Sequence, residues 1–471
     1  RQYNKYNYNR MSASGFVSDD YLWHNFGAAE NVGSPVSSLN EWQLVSYMAR
    51  MNYSYNGKYY LTVTGRQDGY SGFASNNKYG FFPSFAVAWR ISDENFMNNV
   101  SWLDDLKLRT SYGSVGNQAV GTYRSLARLG LAQHIFGEEV TSGLTVNSLP
   151  NANLSWETTK TFNLAVDYTA LNGRVSGTLE YYDSRTFDIL LNRSIPAMTG
   201  QDEIIYNIGE VQNTGFEAAI STVPVKQGDF TWKLDINFST NKNKIIDLYG
   251  DGKDDIANRW FIGEPLSIYY DYEANGIYQL GDEEEIANSA TPDREVGDTR
   301  IVDQGEKDGI IDADDRKIVG YLQPKWLGGV NSTFTWRDLS LNVFVQTTQG
   351  LDRRFNPEGD WGGRVNRPPV DYWTPENPSN TWFRPHASRS QPFYGSLDIY
   401  DASYTRIKDI TLSYNLPKML LQNASISKMR VYVNLHDYFT FTKFPFADPE
   451  IGRAFEISIP KYVQFGFNVT F

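Results

Sequence analysis

The residues best suited to chemistry lie between 302 and 316, in VDQGEKDGIIDADDR. A hard cation such as calcium needs six to eight oxygen ligands gathered round a turn sharp enough to require glycine. Asp308-Gly309 supplies such a turn. Asp303, Glu306, Asp312 and Asp315 add carboxylates to that of Asp308, Ile310 offers its backbone carbonyl, and Ile311 anchors the turn by its apolar side. The spacing departs from D-x-[DN]-x-[DN]-G. Asp303 and Asp308 stand five apart with no Asn between them, so Glu306 has to substitute. The expectation is a structural Ca2+ that pins a long loop; the competing reading is an acidic surface turn closed by Arg316. Neither brings redox chemistry or a poised nucleophile.

A second candidate lies in residues 349–403, where Trp361, Tyr372, Trp373, Trp382 and Phe383 alternate with Arg353, Arg354, Arg364, Arg367 and Arg384. Exposed rings stack on sugar faces or grip apolar side chains, and Arg hydrogen-bonds hydroxyls and carboxylates. Trp361, Tyr372, Trp373, Trp382 and Arg364 are therefore the candidate substrate contacts. The alternative is that a loop this long uses its aromatics to pack itself. Residues 242–325 carry acidic runs, DLYGDGKDD and GDEEEIA, which more often form a solvated surface than a binding site. Enzyme signatures are missing: His24, His134, His386 and His436 are scattered, and no H-E-x-x-H, G-x-S-x-G or P-loop occurs, so no catalytic activity is expected. A soluble glycan-binding protein or glycosidase would need two carboxylates facing each other across a cleft.

Composition narrows the class of protein that could hold such loops. A formal charge of −12 argues against nucleic acid as a partner, and the lack of cysteine rules out disulfides and thiolate metal sites. No apolar run is long enough for a transmembrane helix. Yet the chain holds 31 Tyr, 27 Phe and 12 Trp at a mean hydropathy of −0.48. A transmembrane β-barrel reconciles the two, because an aromatic-rich lipid face and a polar lumen face average to a hydrophilic sequence.

The elements that position the loops follow from period-2 alternation. In 230–241, Trp232, Leu234, Ile236 and Phe238 alternate with Thr231, Lys233, Asp235 and Asn237. The same pattern marks 43–55, 58–68, 83–91, 105–113, 160–169, 173–184, 213–224, 326–337, 338–348, 404–416, 428–437 and 461–471. This gives about 13 strands, mostly of bilayer-spanning length. Short links (Asn56-Gly57, 92–104, 170–172, 225–229, Arg337-Asp338, 417–427) alternate with long ones (69–82, 114–159, 185–212, 242–325, 349–403, 438–460). Outer-membrane barrels sort their links in this way, with short periplasmic turns and long extracellular loops. The last strand then descends to the periplasmic rim. Thirteen is odd, so residues 1–42 are expected as an extracellular loop segment and 43–471 as the C-terminal part of a larger, even-numbered barrel. Arg66, Arg90, Lys107, Arg109, Asp167, Glu180, Lys233 and Asp235 face inward, where the favoured partner is a plug domain.

The stretches YYLTVTGRQDGYSGFASNNKYGFFPSFAVAWRISDENF, LKLRTSYGSVGNQ, LSWETTKTFNLAVDY, IGEVQNTGFEAAI and YWTPENPS, with the ending YVQFGFNVTF, resemble the SusC-like (SusC/RagA) TonB-dependent outer-membrane transporters of Bacteroidetes. The resemblance covers roughly residues 40–471. It implies an all-β fold: a 22-stranded barrel of which this chain supplies about the last 13 strands, with the plug domain outside it. It implies active uptake of oligosaccharides or peptides, with a SusD-like surface lipoprotein as lid and TonB-ExbB-ExbD as energy source. The other partners implied are outer-membrane lipid and lipopolysaccharide, and the N-terminal plug and barrel half. Related proteins carry D-x-N-x-D-G-x-I-D-x-x-D-R at the acidic turn. The runner-up is a passive porin or surface ligand-binding barrel.

Overall fold

The computed structural model describes all residues except 23, 119, 138, 196–197, 199, 202, 290–293, 306, 356–369, 386–394, 422–425, 447 and 452–457. Fourteen strands form one antiparallel sheet in chain order. They are β1 Gln2–Arg10, β2 Val36–Tyr55, β3 Tyr59–Tyr70, β4 Tyr79–Arg90, β5 Leu103–Asn117, β6 Glu157–Ala170, β7 Val175–Phe187, β8 Glu210–Gln227, β9 Phe230–Asp247, β10 Trp326–Trp336, β11 Leu339–Gln349, β12 Tyr404–Asn415, β13 Lys428–Thr442 and β14 Tyr462–Thr470. No helix is long and apolar enough to cross a membrane among the described residues.

Thirteen strands coincide with the alternating segments of the sequence. The fourteenth, β1, corrects the count and removes the argument from odd parity. It pairs with β2 along Val36–Leu44, beyond the stretch of β2 that pairs with β3. Its alternation is masked because Tyr6 and Tyr8 share a face with Gln2, Asn4 and Arg10.

Register turns the alternation into two continuous surfaces. On the outward face Trp232, Phe334, Leu341, Leu412, Val433 and Phe465 stand directly opposite one another from β9 to β14. One residue along, Lys233, Thr333, Asn342, Thr411, Asn434 and Gln464 form the matching lumen-facing row. The polar row bonds to itself: Asn342 donates to Thr333 at 2.9 Å and Asn434 to Thr411 at 2.7 Å. In the apolar row Leu412 and Phe465 are exposed, Phe465 at 78%, and the other four are half-buried; Phe467, on the same face, is exposed at 68%, as a lipid-facing wall requires.

Four of the inner links, 56–58, 171–174, 228–229 and 337–338, are tight. Asn56 and Gly57 both take positive φ, 51° and 67°, the geometry of a type I′ turn. β2, β8 and β9, with 20, 18 and 18 residues, exceed the roughly 9–11 residues that span a bilayer, so they continue outside it and carry the loops. The outer loops hold small sheets of their own: Arg128–Phe136 with Glu139–Ser148, Ile268–Tyr272 with Arg316–Tyr321, Ala274–Ile277 with Thr299–Ile301, and Asp352–Arg354 with Ile399–Asp401. The sorting of links by length has one exception, since the outer link 71–78 is shorter than the inner links 91–102 and 416–427.

Candidate functional site: the interlocked outer loops

Loops 242–325 and 349–403 share one core. Ile277 packs with Trp373, Trp382 and Phe383, all buried. The Trp373 indole N–H donates to Gln279 Oε1 at 3.0 Å, and the Ile277 backbone N–H donates to Asn380 Oδ1 at 2.7 Å. Gly276 makes that approach possible: its φ is 83°, and a Cβ there would strike Asn380. Arg384 closes the junction, donating to Asp298 Oδ1 at 3.0 Å and pairing with Glu295.

This geometry separates the predicted contacts. Trp382 and Trp373 are 1% and 5% exposed, so their ring faces serve packing and offer no stacking surface. Tyr372, at 46%, stands free beside them. Trp361, Arg364 and Arg367 lie outside the described residues. In the neighbouring loop, Trp260 packs on the core of Val211, Ile245 and Leu248, and Phe261 meets Tyr270 at 4.7 Å. Gln279 and Asn380, which join the two loops, carry no chemical signal that would single them out in the sequence.

A second junction is ionic. Arg354 donates to Asp271 at 2.5 Å and to Asp398 at 3.1 Å, tying 268–272 to the 352–354/399–401 pair. Burial pushes the Asp398 carboxyl up to about 6, against the pull of Arg354 and with help from the charge of Asp271. A raised carboxyl means that the folded loop takes up a proton the unfolded chain binds less tightly. Its contribution is therefore fully present below about pH 4 and lost as pH rises through about 6, on the order of 3 kcal/mol. The protection of the amides at 352–354 and 399–401, taken relative to intrinsic exchange at each pH, is expected to fall between pH 4 and 7, and Asp398→Asn to flatten that slope. An unchanged slope in the variant would assign the pH dependence elsewhere.

The acidic turn is built largely on its own backbone. Asp315, 2% exposed, accepts from Gln304 and Gly305 at 2.7 and 3.0 Å through one oxygen and from Asp312 at 2.9 Å through the other. Burial opposes its ionisation, but the N–H groups of Gly305, Asp312 and Gln304 outweigh that and hold it below the ordinary value. Asp303 accepts from Gly309, Asp308 from Ile310 and Asp312 from Asp314. With both oxygens engaged, Asp315 is a clamp. Among the described residues no group of three or more acidic or His side chains is placed to hold a metal ion, and Glu306 lies outside them. One acceptor is left over: Asp303 Oδ1 is buried without a hydrogen-bond partner among the described residues.

The outer rim holds a network that the sequence does not announce. Arg406, 1% exposed on β12, reaches Asp448 at 2.8 Å, Glu450 at 2.5 Å and Asp437 at 3.8 Å. A register shift between Ile407 and Asp409 brings Lys408 to Asp437 at 3.0 Å. Lower in the wall, most inward charges pair with each other: Arg109 with Asp167 at 2.6 and 2.9 Å, Arg66 with Asp68, Arg90 with Asp105 and Lys233 with Asp235.

Residues 1–436 match the family described as "TonB dependent receptor-like, beta-barrel", and the chain belongs to it, a family of Gram-negative outer-membrane proteins. Within that class it is of the SusC/RagA type. It is 34% identical over 453 residues to TonB-dependent receptor P3 of Formosa agariphila, covering 93% of this chain and 45% of that protein. It is 30% identical over 435 residues to TonB-dependent receptor SusC of Bacteroides thetaiotaomicron, covering 88% and 42%. The solved RagAB peptide importer in its open-open state superposes with a TM-score of 0.79 at 25% identity, over 100% of this chain and 52% of that one. The chain spans about half the length of the relatives it matches.

Proposed function

We propose that this barrel segment belongs to an active importer, which captures oligosaccharide or peptide at its outer loops beneath a SusD-like lipoprotein lid and draws on TonB-ExbB-ExbD. The observation that carries the reading is a lipid-facing wall whose extended strands hold two large outer loops locked into one platform. A platform of fixed shape suits a lid that must close on it repeatedly. Exposed Tyr372 is the described residue best placed to meet a ligand. The RagAB structures are of a peptide transporter, which favours peptide as one cargo class. A passive porin has no use for an external energy source. Uptake of a labelled oligomer by cells carrying the intact protein is therefore expected to collapse when a protonophore removes the proton gradient; undiminished uptake would leave the porin.

The calcium reading extends this one. Asp303, with Glu306 and the Ile310 carbonyl, would hold a structural Ca2+ beside the clamp made by Asp315. Metal analysis of the purified protein is expected to find calcium, and a chelator to loosen residues 302–316 toward protease. If metal is absent and the chelator has no effect, the turn is simply self-bonded.

A further inference from the structure

Two other outer loops, 118–156 between β5 and β6 and 188–209 between β7 and β8, border a polar cavity of about 540 Å³. That is within the range of small-ligand sites, about 300–1,000 Å³. Asparagines fix the two loops to each other. Asn151, 6% exposed, donates to the Ile205 carbonyl at 2.7 Å. Asn207 accepts from the Ser155 backbone N–H at 2.8 Å and donates to the Ser155 carbonyl at 2.9 Å. Leu154 and Trp156 are buried, and Ile205 packs on their core. The walls of the cavity therefore have a set shape.

Two arginines line this cavity, and neither is spent on a carboxylate among the described residues. In the platform, by contrast, Arg354 and Arg384 each serve two acids. Arg124 is half-buried, and among the described residues it joins no ion pair and no side-chain hydrogen bond. Its neighbours are nevertheless anchored: the Tyr123 hydroxyl accepts from the Glu41 backbone N–H at 3.1 Å, and Ser125 Oγ donates to the Gly72 carbonyl at 3.1 Å. Arg128, also half-buried, opens the hairpin 128–148 at a bulge, the device by which a strand re-aims a side chain. Its Nε donates to Ser148 Oγ at 3.0 Å, which orients the guanidinium and leaves its two terminal nitrogens without a partner among the described residues. Glu203 is the one carboxylate among the described lining residues; it is exposed and pairs with neither arginine.

We propose that Arg124 and Arg128 form a subsite for a carboxylate carried by the cargo oligomer, so that the protein selects acidic cargo over neutral. The proposal rests on the import reading given above. A guanidinium matches both oxygens of a carboxylate with its planar fork and keeps its charge at any working pH. Two forks already held on a fixed wall lose little freedom when the anion arrives. Asn147 and Ser148 line the same cavity and can bond the hydroxyl or amide groups that flank the carboxylate. A uronic acid unit of an oligosaccharide and the C-terminus of a peptide present the same group to these donors.

Equilibrium binding to the intact detergent-purified protein tests the proposal with two matched pairs of probes. One is tetragalacturonate against its full methyl ester; the other is an N-acetylated tetrapeptide of neutral side chains, with a free C-terminus against a C-terminal amide. At least one acidic probe is expected to bind about tenfold tighter than its neutral counterpart, and the pair that shows the preference identifies the source of the carboxylate. Arg124→Gln/Arg128→Gln, checked for folding by its heat-modifiable gel mobility, is expected to lose the preference and to bind the neutral probe as the wild type does. A wild type that binds neither acid better than its neutral counterpart overturns the proposal. So does a folded variant that keeps the preference, or one that weakens both members of a pair equally. The readout needs no energy source, so a failed preference leaves the import reading standing, and uptake that ignores a protonophore leaves the subsite standing.

Discussion

Arg406→Ala is expected to destabilise the outer rim by about 3–5 kcal/mol, the cost typical of removing one partner from a buried ion pair. The guanidinium is the shared partner of Asp448, Glu450 and Asp437, it donates to Thr440 through Nε at 2.9 Å, and it lies 5.1 Å from the Tyr404 ring centre. The side chains of Asp437 and Asp448 are only 2% and 8% exposed, so truncation strands charge away from water. Lys408 remains on Asp437, but among the described residues no other cation pairs with Asp448. Arg406→Lys is expected to recover little, because one ammonium cannot reproduce the fork that serves several oxygens at once. The loss should appear as a lower midpoint of heat-modifiable gel mobility and as cleavage within residues 443–461, where Phe444 and Ile451 pack on Phe355 and Ala402. A variant as stable as the parent would mean that the carboxylates find water, and that the network is no anchor.

Trp382→Ala is expected to cost a further 3–5 kcal/mol, local to the platform. The indole fills the centre of the shared core, stacked at 4.9 Å on Phe383, and its backbone C=O accepts from Trp373 at 3.0 Å. Removing it opens a cavity on which Ile277, Trp373 and Phe383 all border. Amide exchange should rise in both partners, at 274–277 and 299–301 as well as at 372–384, since each loop buries its apolar side against the other. Exchange that rises only in 372–384 would show that the loops fold separately. Combined with Gln279→Ala, the effects should be less than additive, because both changes loosen the hold on Trp373.

The wall was legible in the sequence because its physics is local: a strand between lipid and lumen must alternate, and Val463 to Phe471 does so without interruption. β1 escaped because outside the membrane neither face need be apolar, and tyrosines beside asparagines give no contrast. The loops were legible as loops but not as structure. Nothing in YWTPENPSNTWF distinguishes a Trp buried at 1% from a Tyr exposed at 46%, since that depends on Ile277 arriving from about a hundred residues away. The Arg406 network needs both a bulge on β12 and a returning loop, and only three dimensions supply those. An inward arginine on a strand followed by the acids of FADPE was the available hint. The acidic turn was found, but spacing alone could not say that Asp315 would spend both oxygens on backbone N–H groups.

The joint core of the two large loops restricts how such a protein can diversify. Grafting one loop from a relative would leave Trp382 or Ile277 facing a surface shaped for another partner, and the chimaera should misassemble at the rim. Moved together, 242–325 and 349–403 form a cassette whose internal fit travels with it. Change at the outer surface is then expected to arise by exchange of both loops as a unit, or by drift at exposed positions such as Tyr372 that the shared core does not constrain.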